Sequence, residues 1–553
     1  ASRCGSRRPS SVVVTEPMPV EPPPSKPGLP AILAFAALFA LAHTQSPLFF
    51  SNQNQYLLHG LAHAGYGHLA NDWLANTKDP TPVFSLLVRG AYGLGGLFAI
   101  QAAYLALVMS YFVAMWKLIS AFASIRILPF AAMFTVAHAA MFRLLSVKLA
   151  GVDYPWYFQA GVAGQYLLGP GLQPSAFGVL LVMSLAAFVR GRPNLAAALA
   201  AGATIFHATY LLPAALLAGG YALALSREGR TRAAASVLGV SLVVAAPLAI
   251  FVYLTFSDSG PKANHAAQGI LANVRIPHHT RIDRWFDVVA GLQVAWIALG
   301  LVLLRGTRLF VPLLVAALGS LILTLVQALA KDDAFSLLFP WRMSVVLVPV
   351  SSAAVAARLA ALDRGAKANA ILAGFLVILQ AAGGIAIMAL GIGYSANKAE
   401  APLLNFVRES ATPADVYLIP ARIPPLATGS RGSTSTSFTP PPRPKPGSNL
   451  IPVDLQRFRL ATGAAIFVDF KSVPYATNDV SEWHRRMGRV ERWYEEKAWD
   501  RFETQEALKA EGITHIVLPR GSAYDPPVFD DGLELLHMDD AYAVYRLKAS
   551  RDP

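Results

Sequence analysis

Residues 97–116 read LFAIQAAYLALVMSYFVAMW, a run without a single charged side chain. At a rise of roughly 1.5 Å per residue, a helix of about 20 such residues crosses the roughly 30 Å hydrocarbon core of a bilayer. Lys117 follows at once. Comparable apolar runs are centred near residues 40, 135, 183, 200, 217, 244, 297, 320, 350 and 380, so about eleven crossings are expected between residues 31 and 394. The stretch 194–225 is divided at His207 to Pro213, where Pro213 and the polar His207, Thr209 and Tyr210 would break one long helix.

The whole-chain composition agrees with this reading. Of 553 residues, 54% are hydrophobic and only 14% are charged, and the mean hydropathy is +0.45. Soluble proteins carry about a quarter charged residues. The net charge of +13 is spread as short basic clusters between apolar runs, which membrane topology explains and nucleic-acid binding does not require. Cys4 is the only cysteine, which excludes a disulfide framework or a cysteine metal site within one chain.

Residues 1–30, rich in Pro, Ser and Arg, read as a disordered cytoplasmic tail. Every even-numbered span then ends in a basic loop: Lys117 with Arg126, Arg190 with Arg192, Arg227 with Arg230 and Arg232, Arg305 with Arg308, and Arg358 with Arg364 and Lys367. The acids Asp72, Asp79, Asp153, Asp258, Asp283, Asp287, Asp332 and Asp333 fall on the other side. This pattern suits a multi-pass protein of the bacterial cytoplasmic membrane with residues 400–553 outside the cytoplasm. That segment reads as a small α/β domain, with strands at Val416 to Pro420, Ala465 to Phe470, Thr514 to Leu518 and Tyr542 to Leu547. Helices are expected at Val480 to Glu495 and Thr504 to Glu511, and a flexible insertion at 429–449.

The candidate chemistry lies in the outer loops. The first, 51–82, is long and polar, and Gln55 to Trp73 suggests an interfacial helix. Its carboxylates, Asp72 and Asp79, could act as general bases or hold a divalent cation; the alternative is that Asp72 caps a helix and Asp79-Pro80 makes a turn. His59 and His63 share a helix face, but Gly60 stands where a zinc protease needs its glutamate, so no metal site is assigned there. The second loop, AGVDYPWYFQAGVAGQYLLGPGLQPS (150–175), offers Asp153, Tyr154, Gln165 and Tyr166, the aromatic and amide groups of sugar recognition or of an interfacial belt. His207 sits in the third outer turn.

The fourth outer loop, NVRIPHHTRIDRW (273–285), gathers Arg275, His278, His279, Arg281 and Arg284 on the face where the positive-inside rule disfavours arginine. Such a cluster suits a phosphate or pyrophosphate. In FPWRMS (339–344), Arg342 enters the next span, where a charge is costly unless a ligand or acid meets it.

A long, acid-bearing first outer loop, many spans and a terminal outer domain resemble the GT-C class of membrane glycosyltransferases, which use polyprenyl-phosphate-linked sugars. The corresponding stretches are Asn52-Gln53-Asn54-Gln55-Tyr56, Asn71-Asp72-Trp73 and Asp79-Pro80-Thr81-Pro82. Where that class places its catalytic aspartate, this chain has the amides Asn52 and Gln53, which cannot take a proton at neutral pH. The resemblance implies inverting transfer to a glycan or protein acceptor. The lipid phosphate would be held by Arg342 with His278, His279 and Arg281, the substrate contacted by Asn52, Gln53, Tyr56, Asp153, Tyr154, Gln165 and His207, and Asp72 or Asp79 would be the base. The same loop, with AGQYLLGPGLQPSAFG, HATYLLPAALLA, RIPHH, LLFPWR and the stretch Phe467-Val468-Asp469-Phe470-Lys471, is also similar to a family of bacterial polytopic membrane proteins that brings no established activity. The competing expectations are a GT-C-like shell acting in assembly or binding without catalysis, and a lipid or solute transporter.

Overall fold

The computed structural model describes residues 27–256, 260–362, 367–392, 398–423, 455–520 and 532–548. Most of the expected N-terminal tail, all of the 429–449 insertion, and Asp258 and Arg364 lie outside these residues. Among the described residues, seven helices are long and apolar enough to cross a membrane: Pro82–Ile119, Ile127–Ala150, Ala208–Arg227, Thr231–Phe256, Phe310–Ala330, Asp333–Ala360 and Lys367–Leu390. Four shorter apolar helices, Leu29–His43, Pro174–Val189, Pro193–Phe206 and Val288–Leu303, occupy the remaining expected spans. The chain is a polytopic α-helical membrane protein.

Burial sorts the spans. The apolar window of Asp333–Ala360 is 83% buried, whereas that of Thr231–Phe256 is 11% buried. The first is the hub of the bundle; the second presents Leu242, Val243, Ile250 and Leu254 outward as a lipid-facing surface. Since lipid tails offer no hydrophobic gain for helix association, spans meet through small residues. Gly300 lies directly on Ser351, and Gly384 on the Leu41 carbonyl, with no room for a side chain at either glycine. The expected break falls where placed: one helix stops at Phe206 and the next turn starts at Ala208, with His207 extended between them.

The first loop departs from the expected single helix over 55–73. It folds as short helical pieces, Gln53–Tyr56 and Leu58–His63, then turns at Leu69–Asn71 and Leu74–Asn76. The breaks follow from Gly65 and Gly67, both with positive φ (74° and 55°). Gly67 needs its missing side chain for a second reason: its Cα packs on Gly463 of the C-terminal segment.

That segment carries a five-stranded sheet in the order β2-β1-β3-β5-β4. The strands are β1 Val416–Leu418, β2 Ala465–Ile466, β3 His515–Pro519, β4 Leu533–Met538 and β5 Tyr542–Leu547. β1 runs parallel to β2 and β3; β5 runs antiparallel to β3 and β4. The helix Thr477–Glu496 buries Val480, Trp483, Met487, Val490, Trp493 and Tyr494, the three-to-four spacing of one helical face. β2 is shorter than the expected strand, because the chain turns after Ile466 and sends Asp469 and Lys471 back toward the bundle.

Candidate functional site

The first loop and the C-terminal segment are bolted together at one end of the bundle. His68 N–H donates to the Gly463 carbonyl (2.7 Å), and the Gln55 amide donates to the Val473 carbonyl (3.2 Å) and to the Tyr475 hydroxyl (3.0 Å). At the centre lies Asp72, fully buried. Its carboxylate accepts from the Leu74 amide (2.9 Å), the Ile466 amide (3.0 Å) and Arg459 Nε (2.8 Å). Arg459 Nη1 reaches on to Asp469 at 2.7 Å, and Asp469 also accepts from the Ser472 amide (2.6 Å). The result is a buried Asp-Arg-Asp bridge between loop and domain.

Arg275 and Arg342 are both only 8% exposed. Arg275 ends a widened π-helical turn, Ile270–Arg275, which aims it inward. It donates to the Lys471 carbonyl and covers the Phe470 ring at 5.2 Å. Arg342, in the turn Pro340–Met343 entering the hub span, lies over the Tyr210 ring at 5.2 Å. Tyr56 and His279 are within electrostatic reach of both guanidiniums. Neither arginine has a carboxylate partner among the described residues, and the Nε of each is buried without a hydrogen-bond partner. Such groups are costly to leave unpaired.

Around them stand groups suited to hydroxyls. Tyr56 packs edge-on against His207 (6.0 Å), His207 against Tyr210 (5.6 Å), and the Asn52 amide points to the Tyr166 hydroxyl at 3.5 Å. Gln165 Oε1 is buried without a partner. His279 Nδ1 lies 2.8 Å from the Ala163 carbonyl. A carbonyl only accepts, so Nδ1 holds the proton. Burial and the nearby Arg342 and Lys471 charges push the His279 pKa down to about 4, so its Nε2 is a hydrogen-bond acceptor. Burial, with His279 and Arg275 beside it, also keeps His278 neutral.

The structure therefore gathers Tyr56, Asn52, Gln165, His207, His279 and Arg342, and holds other sequence candidates elsewhere. Asp153 receives a two-pronged grip from Arg143 (2.8 and 3.0 Å), both side chains 2% exposed. Asp79 accepts from the Thr81 amide (2.8 Å), the turn contact. Gln53 accepts from the Phe50 amide (3.2 Å). Tyr154 is 53% exposed and packs on Tyr157. Arg281 faces outward to Asp283 (3.0 Å), so the RIPHHTR cluster divides into an inward and an outward half. Among the described residues no group of three or more His, Cys, Asp or Glu side chains converges as a metal site. Sequence reading did not single out Arg459, Asp469 or Lys471 as site residues. Asp469 and Lys471 stood out only within the stretch Phe467-Val468-Asp469-Phe470-Lys471, whose resemblance brings no established activity, and Arg459 carried no signal.

Residues 444–490, which include these three, match a family model described as a domain of unknown function (DUF6798). No curated protein sequence matches the chain. Among solved structures, the crystal structure of ArnT from Cupriavidus metallidurans bound to undecaprenyl phosphate is similar over 94% of this chain and 97% of that one, at 14% identity and a TM-score of 0.42. A similarity of that degree transfers no residue roles.

Proposed function

We propose that this chain is a glycosyltransferase that takes a sugar from a polyprenyl-phosphate carrier and passes it to a glycan or protein acceptor at the end of the bundle roofed by the α/β domain. In this reading the basic loops on the opposite face are cytoplasmic, and the roofed end lies on the outer side of the bacterial inner membrane. One observation carries the reading: two buried guanidiniums, Arg275 and Arg342, that form no ion pair with a carboxylate among the described residues and whose Nε atoms have no hydrogen-bond partner. In this reading they hold the donor phosphate and neutralise the charge that grows on it as the glycosidic bond breaks. Asn52, Tyr56, Gln165, His207 and the acceptor nitrogen of His279 line the sugar. Asp72 is assigned to clamping the loop, since three hydrogen bonds already occupy its two oxygens.

The test is a panel of polyprenyl-phosphate sugars offered to the purified protein in proteoliposomes. Transfer that falls at least about 100-fold in Arg342→Gln is expected, the size of losing one positioned charge at the transition state. Transfer unchanged in Arg342→Gln and Arg275→Gln would remove the reading. A non-catalytic lipid-phosphate binder is the second reading, favoured by the commitment of the buried Asp72, Asp153 and Asp469 to arginines; it predicts binding without transfer.

A further inference from the structure

Inverting transfer needs a group to take the acceptor's proton, and the carboxylates nearest the two arginines are engaged. Asp469 and Asp72 share Arg459. Lys471 is placed differently. Its carbonyl is gripped by Arg275, no ion pair reaches its amine among the described residues, and the side chain is only partly buried. Arg275 faces it from the π-helical turn, His278 and His279 from the short helix that follows, and Asp469 from its own segment.

Resting on the donor site proposed above, we propose that Lys471 is the proton acceptor of the transfer: its neutral amine takes the acceptor hydroxyl's proton and, once charged, pairs with the departing phosphate. The acceptor O–H bond breaks and an N–H bond forms on Lys471. The acceptor oxygen bonds the anomeric carbon, and the carbon–oxygen bond to phosphate breaks with its electron pair leaving on the phosphate. The ammonium later returns its proton to solvent.

Charge matching supports the assignment. Among the described residues the buried network holds three guanidiniums, Arg275, Arg342 and Arg459, against two carboxylates, Asp72 and Asp469. With Lys471 neutral its excess is a single positive charge, which fits a monoanionic phosphodiester donor. With Lys471 protonated the excess is two, which fits the dianionic monoester that leaves. Burial and the adjacent Arg275 lower the Lys471 pKa to about 7, so both forms are accessible near neutrality.

The experiment compares two probes at about pH 8, farnesyl phosphate, a dianion there, and its methyl diester, which does not titrate in this range. Binding is measured by calorimetry in buffers of different ionisation enthalpy. Wild-type protein is expected to take up close to one proton with the monoester and none with the diester. Lys471→Met should lose the uptake and bind the monoester at least about tenfold more weakly, while the diester changes less than about threefold. Lys471→Arg, permanently charged, should bind the monoester without uptake, which also covers a misfolded methionine variant. Uptake that persists in Lys471→Met, or is missing in wild type that binds both probes, overturns the assignment. Wild type that binds neither probe overturns the donor site itself.

Discussion

Arg459 stands between Asp72 and Asp469 with both contacts at hydrogen-bonding distance and all three side chains buried. Removing the arginine would strand two carboxylates, and breaking such a buried pair costs roughly 3–5 kcal/mol. Arg459→Met is therefore expected to lower the thermal midpoint sharply in detergent, and Asp72→Asn to lower it less. A midpoint unchanged in Asp72→Asn would return that residue to the list of free carboxylates. Lys471 gives a second, pH-dependent expectation. Its pKa is about 7 when folded, against roughly 10.4 for a free lysine. Between these values the unfolded chain holds more protons, so this group's contribution makes stability rise as pH increases from about 7 to 10. Melting curves across that range should show a steeper rise for wild type than for Lys471→Met; parallel curves would contradict the depressed pKa. At this scale the sequence was half legible. Arg342 stood out because a charge at a span entry is anomalous on its own. Lys471 and Arg459 did not, because their meaning depends on loops 196 and 387 positions earlier in the chain, respectively.

Among the elements, helix pairs are held by contact at glycines. Any side chain at Gly384 would enter the Leu41 carbonyl, and any at Gly300 would enter Ser351. Gly384→Leu is expected to separate Lys367–Leu390 from Leu29–His43 and yield protein that aggregates on extraction, while Gly374→Leu, on the same helix with open space around it, should behave as wild type. Equal monodispersity of the two variants by size-exclusion chromatography would refute the packing argument. The spans themselves were readable because hydrophobic length is a local property. Two misjudged elements share one cause. The loop helix over 55–73 is cut at Gly65 and Gly67, and the strand over 465–470 is cut after Ile466. In both places the local pattern gives way to the Gly67–Gly463 contact and the Asp72 bridge, which no short window of sequence contains. β4, with its half-exposed alternation, was missed for its weak hydrophobic signal.

Over the whole molecule, a helical bundle carries an α/β domain whose Lys471 carbonyl meets Arg275, which, like Arg342, forms no ion pair among the described residues. In the proposed site the domain takes part: the chain after β2 brings Lys471 and Phe470 to Arg275, and the bundle brings Arg342 to Tyr210. The central claim is that these cations form one site for a lipid-linked phosphate. It is tested most directly by the binding isotherm of a polyprenyl phosphate to detergent-solubilised wild type and to the double variant Arg275→Gln/Arg342→Gln, with matched thermal midpoints confirming that both are folded. Saturable binding to wild type, weakened at least about 100-fold in the double variant by loss of two charge-assisted contacts, is the expected result. Equal affinity in the two folded proteins would contradict it.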